Sequence, residues 1–237
     1  MRDSRTHITG PWVRSLFDRI SSRYDLFNDV LSLGIHRLWK RRAVDLLGSV
    51  AGAAVLDAAT GTGDLAHDLA LRGATVTAID FSEGMLGIAR HRRSHENIEF
   101  LLADAQSLPF ADAEFDHAIV AFGVRNFEDP ARGMTELWRV LKPQGRLVVL
   151  EFGDWMRLGV FGALTRRLAL LIGADPEAYD HLAASSSTFP SGAAFVDSLC
   201  SPLPGAVCAP PQRLFFGVAH LYCATKTTSL AVQTHLQ

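Results

Sequence analysis

Apolar residues in the first part of the chain recur every three or four positions, which is the period of a helix packed on one face. The positions that carry this pattern are Leu16, Ile20, Tyr24, Phe27 and Leu31. They predict helical structure over residues 11–47, with a second, short helix around Arg37–Leu47. We therefore expect residues 1–50 to form an N-terminal helical lid.

From Ala53 onwards the pattern changes to short, almost wholly apolar runs that alternate with helical stretches. Strands that are apolar on both faces and alternate with helices are typical of a parallel sheet covered on both sides. The predicted strands are Ala54–Ala58, Thr75–Ile79, Ile98–Leu102, His117–Phe122 and Arg146–Phe152. We predict an α/β fold with a doubly wound, mostly parallel, Rossmann-like sheet over residues 51–224. Residues 225–237 are expected to form a disordered tail.

The fifth predicted strand follows the turn Lys142-Pro143-Gln144-Gly145, in which proline stands at a position that favours it. We expect a common turn type that needs no left-handed residue, so that Gln144 is tolerated. Beyond Phe152 the pattern predicts helices at Val160–Ile172 and Ser191–Leu199 and a last strand at Phe215–Ala224.

Composition and charge exclude several classes of protein. The 23 Lys+Arg against 25 Asp+Glu give a formal net charge of −2, whereas nucleic-acid-binding domains usually carry a basic excess, so we expect no nucleic-acid partner. The 3 cysteines form no CxxC pair, so we expect reduced thiols, and we expect no metal.

Targeting signals are not evident either. No run has the length of a signal-peptide core or a membrane span, and we expect a cytoplasmic protein. A peripheral contact of the basic cluster in Arg37–Arg42 with the inner face of a membrane is left open, as is a homodimer.

Acidic residues stand at the ends of the first three predicted strands. Asp57 precedes Gly61-Thr62-Gly63, where a ligand can approach the backbone closely. Asp80 is placed to accept hydrogen bonds from both hydroxyls of a ribose, and Asp104-Ala105 could meet an adenine edge. Because ligands bind at the carboxyl ends of strands in such sheets, these residues predict a pocket for an adenine nucleoside with a cationic tail.

A nicotinamide dinucleotide is the competing ligand, since Gly61-x-Gly63-x-x-Ala66 also satisfies the degenerate dinucleotide fingerprint. We favour S-adenosylmethionine because Asp57 would repel a pyrophosphate but could bind an ammonium group. A purely structural role, in which Asp57 and Asp80 cap helices or turns, also stays open.

Between Phe17 and Phe152 the chain resembles the quinone C-methyltransferases of ubiquinone and menaquinone biosynthesis, the demethylmenaquinone methyltransferases among them. The glycine loop and the acids are shared by many methyltransferases, whereas the Tyr24-Asp25 segment and the Phe122–Asn126 stretch are narrower. The other matching motifs are Phe17-Asp18-Arg19-Ile20, His36-Arg37-Leu38-Trp39, Asp80-Phe81-Ser82-Glu83-Gly84-Met85, Leu108-Pro109-Phe110 and Glu151-Phe152.

This resemblance implies a class I S-adenosylmethionine-dependent methyltransferase that acts on a reduced, prenylated quinone, a small lipid-like acceptor. The residues expected to bind the cofactor are Asp57, Gly61, Thr62, Gly63, Asp80, Phe81, Asp104, Ala105 and Ala121. Those expected to form the lid over the substrate are Tyr24, Asp25 and Asn28.

A quinol carbon is a poor nucleophile until a neighbouring hydroxyl loses its proton, so catalysis requires alignment and stabilisation of a phenolate. We expect Arg125 to stabilise the phenolate, Asn126 to orient it or a water, and His36 to be a candidate proton acceptor. The likeness becomes patchy after Phe152. A methyltransferase acting on another small or lipid-like acceptor, and a non-catalytic protein that binds S-adenosylmethionine, therefore stay open.

Overall fold

The computed structural model describes residues 10–21, 24–32, 34–153, 167 and 176–227. Three helices come first: α1 (Gly10–Ile20), α2 (Tyr24–Ser32) and α3 (Ile35–Leu47). The alternating part follows as β1 (Ala54–Ala58), α4 (Asp64–Leu71), β2 (Thr75–Asp80), α5 (Glu83–Arg92), β3 (Ile98–Leu102), β4 (Phe115–Ala121), α6 (Pro130–Arg139) and β5 (Leu141–Phe152). The last described part contains α7 (Pro176–Thr188), α8 (Ala193–Phe195), β6 (Ala206–Cys208), β7 (Gln212–Leu214) and β8 (Ala219–Lys226).

The strands of the described residues form one sheet in the order β3-β2-β1-β4-β5-β8-β6, with β7 paired to β8. Strands β1 to β5 are parallel, and β8 is antiparallel to β5. The order reverses between β1 and β4, and such a switch point is where ligands bind in open α/β sheets. The sheet has the mostly parallel, doubly wound form that the sequence predicts.

Helices pack on both faces of the sheet because successive side chains of each strand point to opposite faces. In β1, Val55 joins a core with Trp39 of α3 and Leu69 of α4, whereas Leu56 joins a core with Leu137 of α6. None of the helices in the described part of the chain combines the length and apolar character needed to cross a bilayer.

Several predicted boundaries are wrong for local reasons. The described residues between 10 and 47 contain three helices, because α1 ends at Ile20 and Gly34, whose φ is 74°, precedes α3. The last strand begins at Ala219, because Phe215–Gly217 form a turn of 3-10 helix with positive φ angles. This strand ends at Lys226 and so extends into the predicted tail.

Two further differences concern the later part of the chain. Gln144 has a φ of 68° and lies in the first part of β5, where the pairing with β4 shifts its register, so this turn does need a left-handed residue, contrary to the prediction. In place of one helix over Ser191–Leu199, α8 passes into a π-helical turn at Val196–Cys200. The predicted helix Val160–Ile172, apart from residue 167, and the tail beyond residue 227 lie outside the described residues.

Candidate active site

A cavity of about 370 Å³ lies between the N-terminal helices and the carboxyl ends of β1 to β4. Its volume is in the range of small-molecule and cofactor sites. The predicted site residues on its wall are Tyr24, Gly61, Asp80, Phe81, Asp104, Ala105, Ala121 and Asn126. Six of the nine predicted cofactor residues therefore lie on this wall at the switch point, whereas Asp57, Thr62 and Gly63 do not line it.

Asp80 is the buried acid of this cavity, with 5% of its surface exposed. Its two carboxylate oxygens accept hydrogen bonds from the backbone N–H groups of Gly61 and Ser82, both at 2.9 Å. Burial raises the pKa of Asp80 to about 6. The backbone bonds fix the carboxylate at the end of β2 and leave further lone pairs for hydroxyl donors from the cavity.

Asp57 does not reach the cavity wall. Its carboxylate is fully buried beneath the glycine loop, where Oδ2 accepts a 2.6 Å hydrogen bond from Thr60. Burial raises its pKa to about 7, and Oδ1 has no hydrogen-bond partner among the described residues. The structure thus does not support the expected direct contact of Asp57 with an ammonium group.

The glycine loop begins α4 and is held from two sides. Gly61 and Gly63 have φ angles of 58° and 83°, and a Cβ on Gly63 would lie 3.1 Å from Cβ of Ala89. Thr62 is buried and donates a 2.6 Å hydrogen bond to Asp25 of α2. Only glycine allows this loop to turn while packing against α5.

At the end of β3, Asp104 is exposed and Ala105 is buried. Asp104 accepts a 2.9 Å hydrogen bond from the backbone of Gln106, which fixes the carboxylate at the rim of the cavity. Phe81, on the same wall, packs edge-on against Phe17 of α1. This part of the cavity offers a flat apolar surface beside a carboxylate.

The N-terminal helices are joined to the sheet and its helices by acidic side chains. Asp18 of α1 accepts hydrogen bonds from Ser82 and from the backbone of Gly84, at the start of α5. Tyr24 packs edge-on against Phe17 and lines the cavity. Asn28, also predicted for the lid, does not line the cavity, and its backbone carbonyl accepts a hydrogen bond from Ser32.

A strained turn follows β4 on the other side of the switch point. Phe122 has a φ of 57° and donates its backbone N–H to Leu150 at 2.7 Å. Its carbonyl accepts hydrogen bonds from Arg125 Nη1 at 2.7 Å and from Asn126 Nδ2 at 3.2 Å. Since a left-handed conformation is unfavourable for phenylalanine, these bonds hold the turn in place.

Arg125 is buried and forms an ion pair with Glu151, with Nη1 2.5 Å from Oε1. Its guanidinium also lies over the ring of Phe152, 4.9 Å from the centroid. Arg125 does not line the cavity, in contrast to Asn126. Arg125 was expected to stabilise the phenolate, but its side chain does not reach the cavity wall and Glu151 at the end of β5 balances its charge.

His181 of α7 is a functional candidate that the sequence did not reveal. Its Nε2 lies 3.1 Å from Oδ1 of Asn126, and its ring packs edge-on against Trp12 at 5.1 Å. Because Asn126 donates through Nδ2 to Phe122, its oxygen must be the acceptor, so His181 carries its proton on Nε2. Burial, and then the charge of Arg125, lower the pKa of His181 to about 4.

His36, the predicted proton acceptor, is buried in α3 and does not line the cavity. Its Nδ1 lies 2.7 Å from the hydroxyl of Ser32, and its Nε2 lies 3.8 Å from Asp29. Burial is the main cause that lowers its pKa to about 4. The structure does not bring His36 together with Asn126, and it suggests a helix-packing role.

Comparisons with known proteins agree with this geometry. A model of the ubiE/COQ5 methyltransferase family matches residues 3–226. A demethylmenaquinone methyltransferase from Thermus thermophilus is 46% identical over 188 residues, which cover 74% of this chain and 85% of that protein. A ubiquinone/menaquinone biosynthesis C-methyltransferase UbiE from Rubrivivax gelatinosus is 35% identical over 223 residues, or 92% of this chain and 88% of that protein.

Solved structures share the fold. A possible histamine N-methyltransferase from Thermotoga maritima has a TM-score of 0.67 at 22% identity and covers 91% of this chain and 100% of that one. A SAM-dependent methyltransferase from Aquifex aeolicus has a TM-score of 0.52 at 18% identity and covers 79% and 89%. At these identities the likeness concerns the fold, and it confirms the predicted α/β class.

Proposed function

Since the chain belongs to the ubiE/COQ5 methyltransferase family, we propose that it transfers a methyl group from S-adenosylmethionine to a ring carbon of a reduced, prenylated quinone. The family match confirms the resemblance drawn from the sequence motifs, and with it the assignment as a methyltransferase. The names of these relatives support menaquinone or ubiquinone biosynthesis as the setting.

The observation that carries this proposal is that one cavity has both Asp80 and Asn126 on its wall. Strands β2 and β4 flank β1, so their ends lie about two strand spacings, roughly 10 Å, apart. A nucleoside bound at the end of β2 could then direct its sulfonium towards an acceptor bound at the end of β4. This arrangement suits an in-line transfer between two bound reactants.

The cofactor end fits S-adenosylmethionine by its donor and acceptor groups. Asp80 is a buried carboxylate without an ion-pair partner among the described residues, and it would accept hydrogen bonds from the ribose hydroxyls. Phe81, Asp104 and Ala105 would bind the adenine, and Ala121 the part nearer the sulfur. Thr62 and the glycines keep the loop close, and Asp57 supports that loop from below.

At the acceptor end, Asn126 is the residue that reaches the cavity. Its amide is held between the Phe122 carbonyl and the His181 ring, so one N–H and one lone pair remain for the quinol oxygen or for a water. We assign Arg125 and Glu151 as positioning residues that fix the Phe122 turn. His181 stays neutral at physiological pH and holds Asn126 in one orientation.

An anaerobic assay tests the proposal with radiolabelled S-adenosylmethionine and chemically reduced demethylmenaquinone. Label should enter the quinol ring, and the oxidised quinone should give no product because it has no hydroxyl to ionise. Incorporation into neither would contradict the proposal. Calorimetry with S-adenosylhomocysteine and with NADH separates it from the nicotinamide alternative, since only the first should bind.

A further inference from the structure

Two aromatic rings project into solvent at the turn before β8. Phe215 and Phe216 are 56% and 89% exposed, and among the described residues Phe216 is the most exposed large apolar side chain. Both have left-handed backbones, with φ angles of 41° and 58°. Glycine or asparagine would fit such positions better, and a polar side chain would be better solvated. Folding alone therefore does not account for two phenylalanines here.

Unpaired arginines surround the same turn. Arg213 donates to the carbonyl of Phe216 at 3.3 Å, and Arg42 of α3 donates to Gln212 of β7 at 3.4 Å, which brings α3 beside the turn. Arg41 is exposed next to Arg42. Within the described part of the chain these three arginines take part in no ion pair. Many other arginines do, as in the Arg37–Asp29, Arg72–Asp45, Arg90–Glu83 and Arg92–Asp25 pairs.

A third apolar side chain belongs to this surface. Leu38 is 61% exposed and stands four positions before Arg42, on the same face of α3. Exposed leucine and aromatic side chains beside free cations are typical of proteins that lie on the interface of a bilayer. We call the set Leu38, Arg41, Arg42, Arg213, Phe215 and Phe216 the docking surface.

We propose that the docking surface binds the protein to an anionic lipid bilayer. The two phenylalanine rings would enter the headgroup region, where aromatic side chains are well accommodated, and the arginines would contact lipid phosphates. The overall net charge of −2 gives no general attraction to such a membrane, so binding depends on this local set of cations.

The docking surface is also connected to the acceptor side of the cavity. Phe122 lines the cavity and packs on Phe152 with ring centroids 4.5 Å apart. The next residue, Gly153, donates its backbone N–H to Val218, directly after the turn that carries the two rings. A membrane at this surface would therefore lie beside the acceptor end. The inference goes beyond the proposed reaction, because lipid binding is measured without turnover.

Vesicle co-sedimentation of the full chain tests the proposal. We expect binding to phosphatidylcholine vesicles that contain phosphatidylglycerol, weaker binding at high salt, and little binding to phosphatidylcholine alone. Phe216→Asn removes a ring and suits the left-handed backbone, so the variant should fold; its binding should fall roughly tenfold. Arg42→Gln should lower binding about fivefold.

Matched controls lie elsewhere on the molecule. Leu102→Asn changes an exposed leucine at the opposite edge of the sheet, and Arg132→Gln changes an exposed arginine of α6, on the other face. Both should bind vesicles like the unaltered protein. Absence of binding to anionic vesicles, or equal losses in variants and controls, would overturn the proposal. Light scattering that shows a dimer dissociated by Phe216→Asn would also overturn it, in favour of a contact between two copies.

Discussion

Thr62 of the glycine loop donates a 2.6 Å hydrogen bond to Asp25 of α2, across 37 positions of the chain. Asp25 also accepts a 3.1 Å hydrogen bond from Arg92 at the end of α5. The same lid residue thus joins the loop proposed to bind the cofactor and the helix that follows Asp80. Closure of the lid and formation of the cofactor site are therefore expected to be coupled.

Asp25→Ala should weaken cofactor binding. The change leaves the buried hydroxyl of Thr62 without its acceptor and Arg92 without its carboxylate, at a cost of about 1–2 kcal/mol. We expect the Kd for S-adenosylhomocysteine, measured by calorimetry, to rise about tenfold.

Asp29→Ala is the control for this variant, because Asp29 lies on the same helix but pairs with Arg37. Its Kd should stay near that of the unaltered protein. If Asp25→Ala and Asp29→Ala bound S-adenosylhomocysteine with equal affinity, the contact of α2 with the glycine loop would not support cofactor binding.

His181 should affect turnover and leave cofactor affinity unchanged. His181→Phe keeps an aromatic ring against Trp12 but loses the N–H that orients Asn126, and misplacement of a positioned group costs up to about 100-fold in rate. We expect kcat to fall at least tenfold, with partial recovery in His181→Gln, which can still donate. Full activity of His181→Phe in the quinol assay would show that His181 does not position Asn126 for the reaction.

Asp57→Asn should stabilise the fold most at neutral and alkaline pH. Burial raises the pKa of Asp57 from 3.8 to about 7, so between these values the folded chain holds a proton that the unfolded chain releases. Stability from this group is fully present below about pH 4 and is lost progressively as the pH rises to about 7. The asparagine variant avoids that loss, which is on the order of 2–4 kcal/mol.

Thermal unfolding at pH 5 and pH 8 checks this prediction. The advantage of Asp57→Asn should be clearly smaller at pH 5 than at pH 8. Asp112→Asn, at an exposed position, should show no such dependence. If Asp57→Asn gained the same stability at both pH values, the gain would not come from removing the charge of a buried carboxylate.

The fold was predictable where a local pattern was complete. The bounds of β1, α4 and β3 follow the sequence because a continuous apolar or periodic run ends there at a glycine or at polar residues. The end of α1 at Ile20 was not predictable, because the helical period of apolar residues continues beyond it. Where these helices end depends on how they pack against the rest of the protein. Elements that depend on distant contacts are thus the ones that periodicity misses.

The residues of the cavity wall at the ends of β2 and β3 were largely predictable, whereas the contacts around Asn126 were not. Acids at the ends of β1, β2 and β3 are visible as polar interruptions of apolar runs. Glu151 at the end of β5 has the same pattern and could have been recognised by it. His181 lies on a helix far along the chain, and only the folded structure brings it to Asn126.

Gln144→Gly should stabilise the protein. Gln144 has a φ of 68°, and a left-handed conformation costs about 1–2 kcal/mol in a residue with a Cβ. Glycine loses about 0.5–1 kcal/mol more chain entropy on folding, so the net gain is about 1 kcal/mol. We expect the Tm to rise by roughly 2–4 °C in a protein of this size.

Ala111→Gly is the matched control, since Ala111 is an exposed loop residue without a positive φ. It should lower the Tm slightly, because only the entropic effect remains. If Gln144→Gly also lowered the Tm, the left-handed conformation of residue 144 would be contradicted.

A crystal structure with S-adenosylhomocysteine tests the central claim most directly. The ribose hydroxyls should lie within hydrogen-bond distance of Asp80, with the adenine against Phe81 and Ala105 and the sulfur directed towards Asn126. Asp80→Asn should leave the fold intact and weaken binding. If the nucleoside is found outside the space between the glycine loop and Asp80, the proposed methyl-transfer site is wrong.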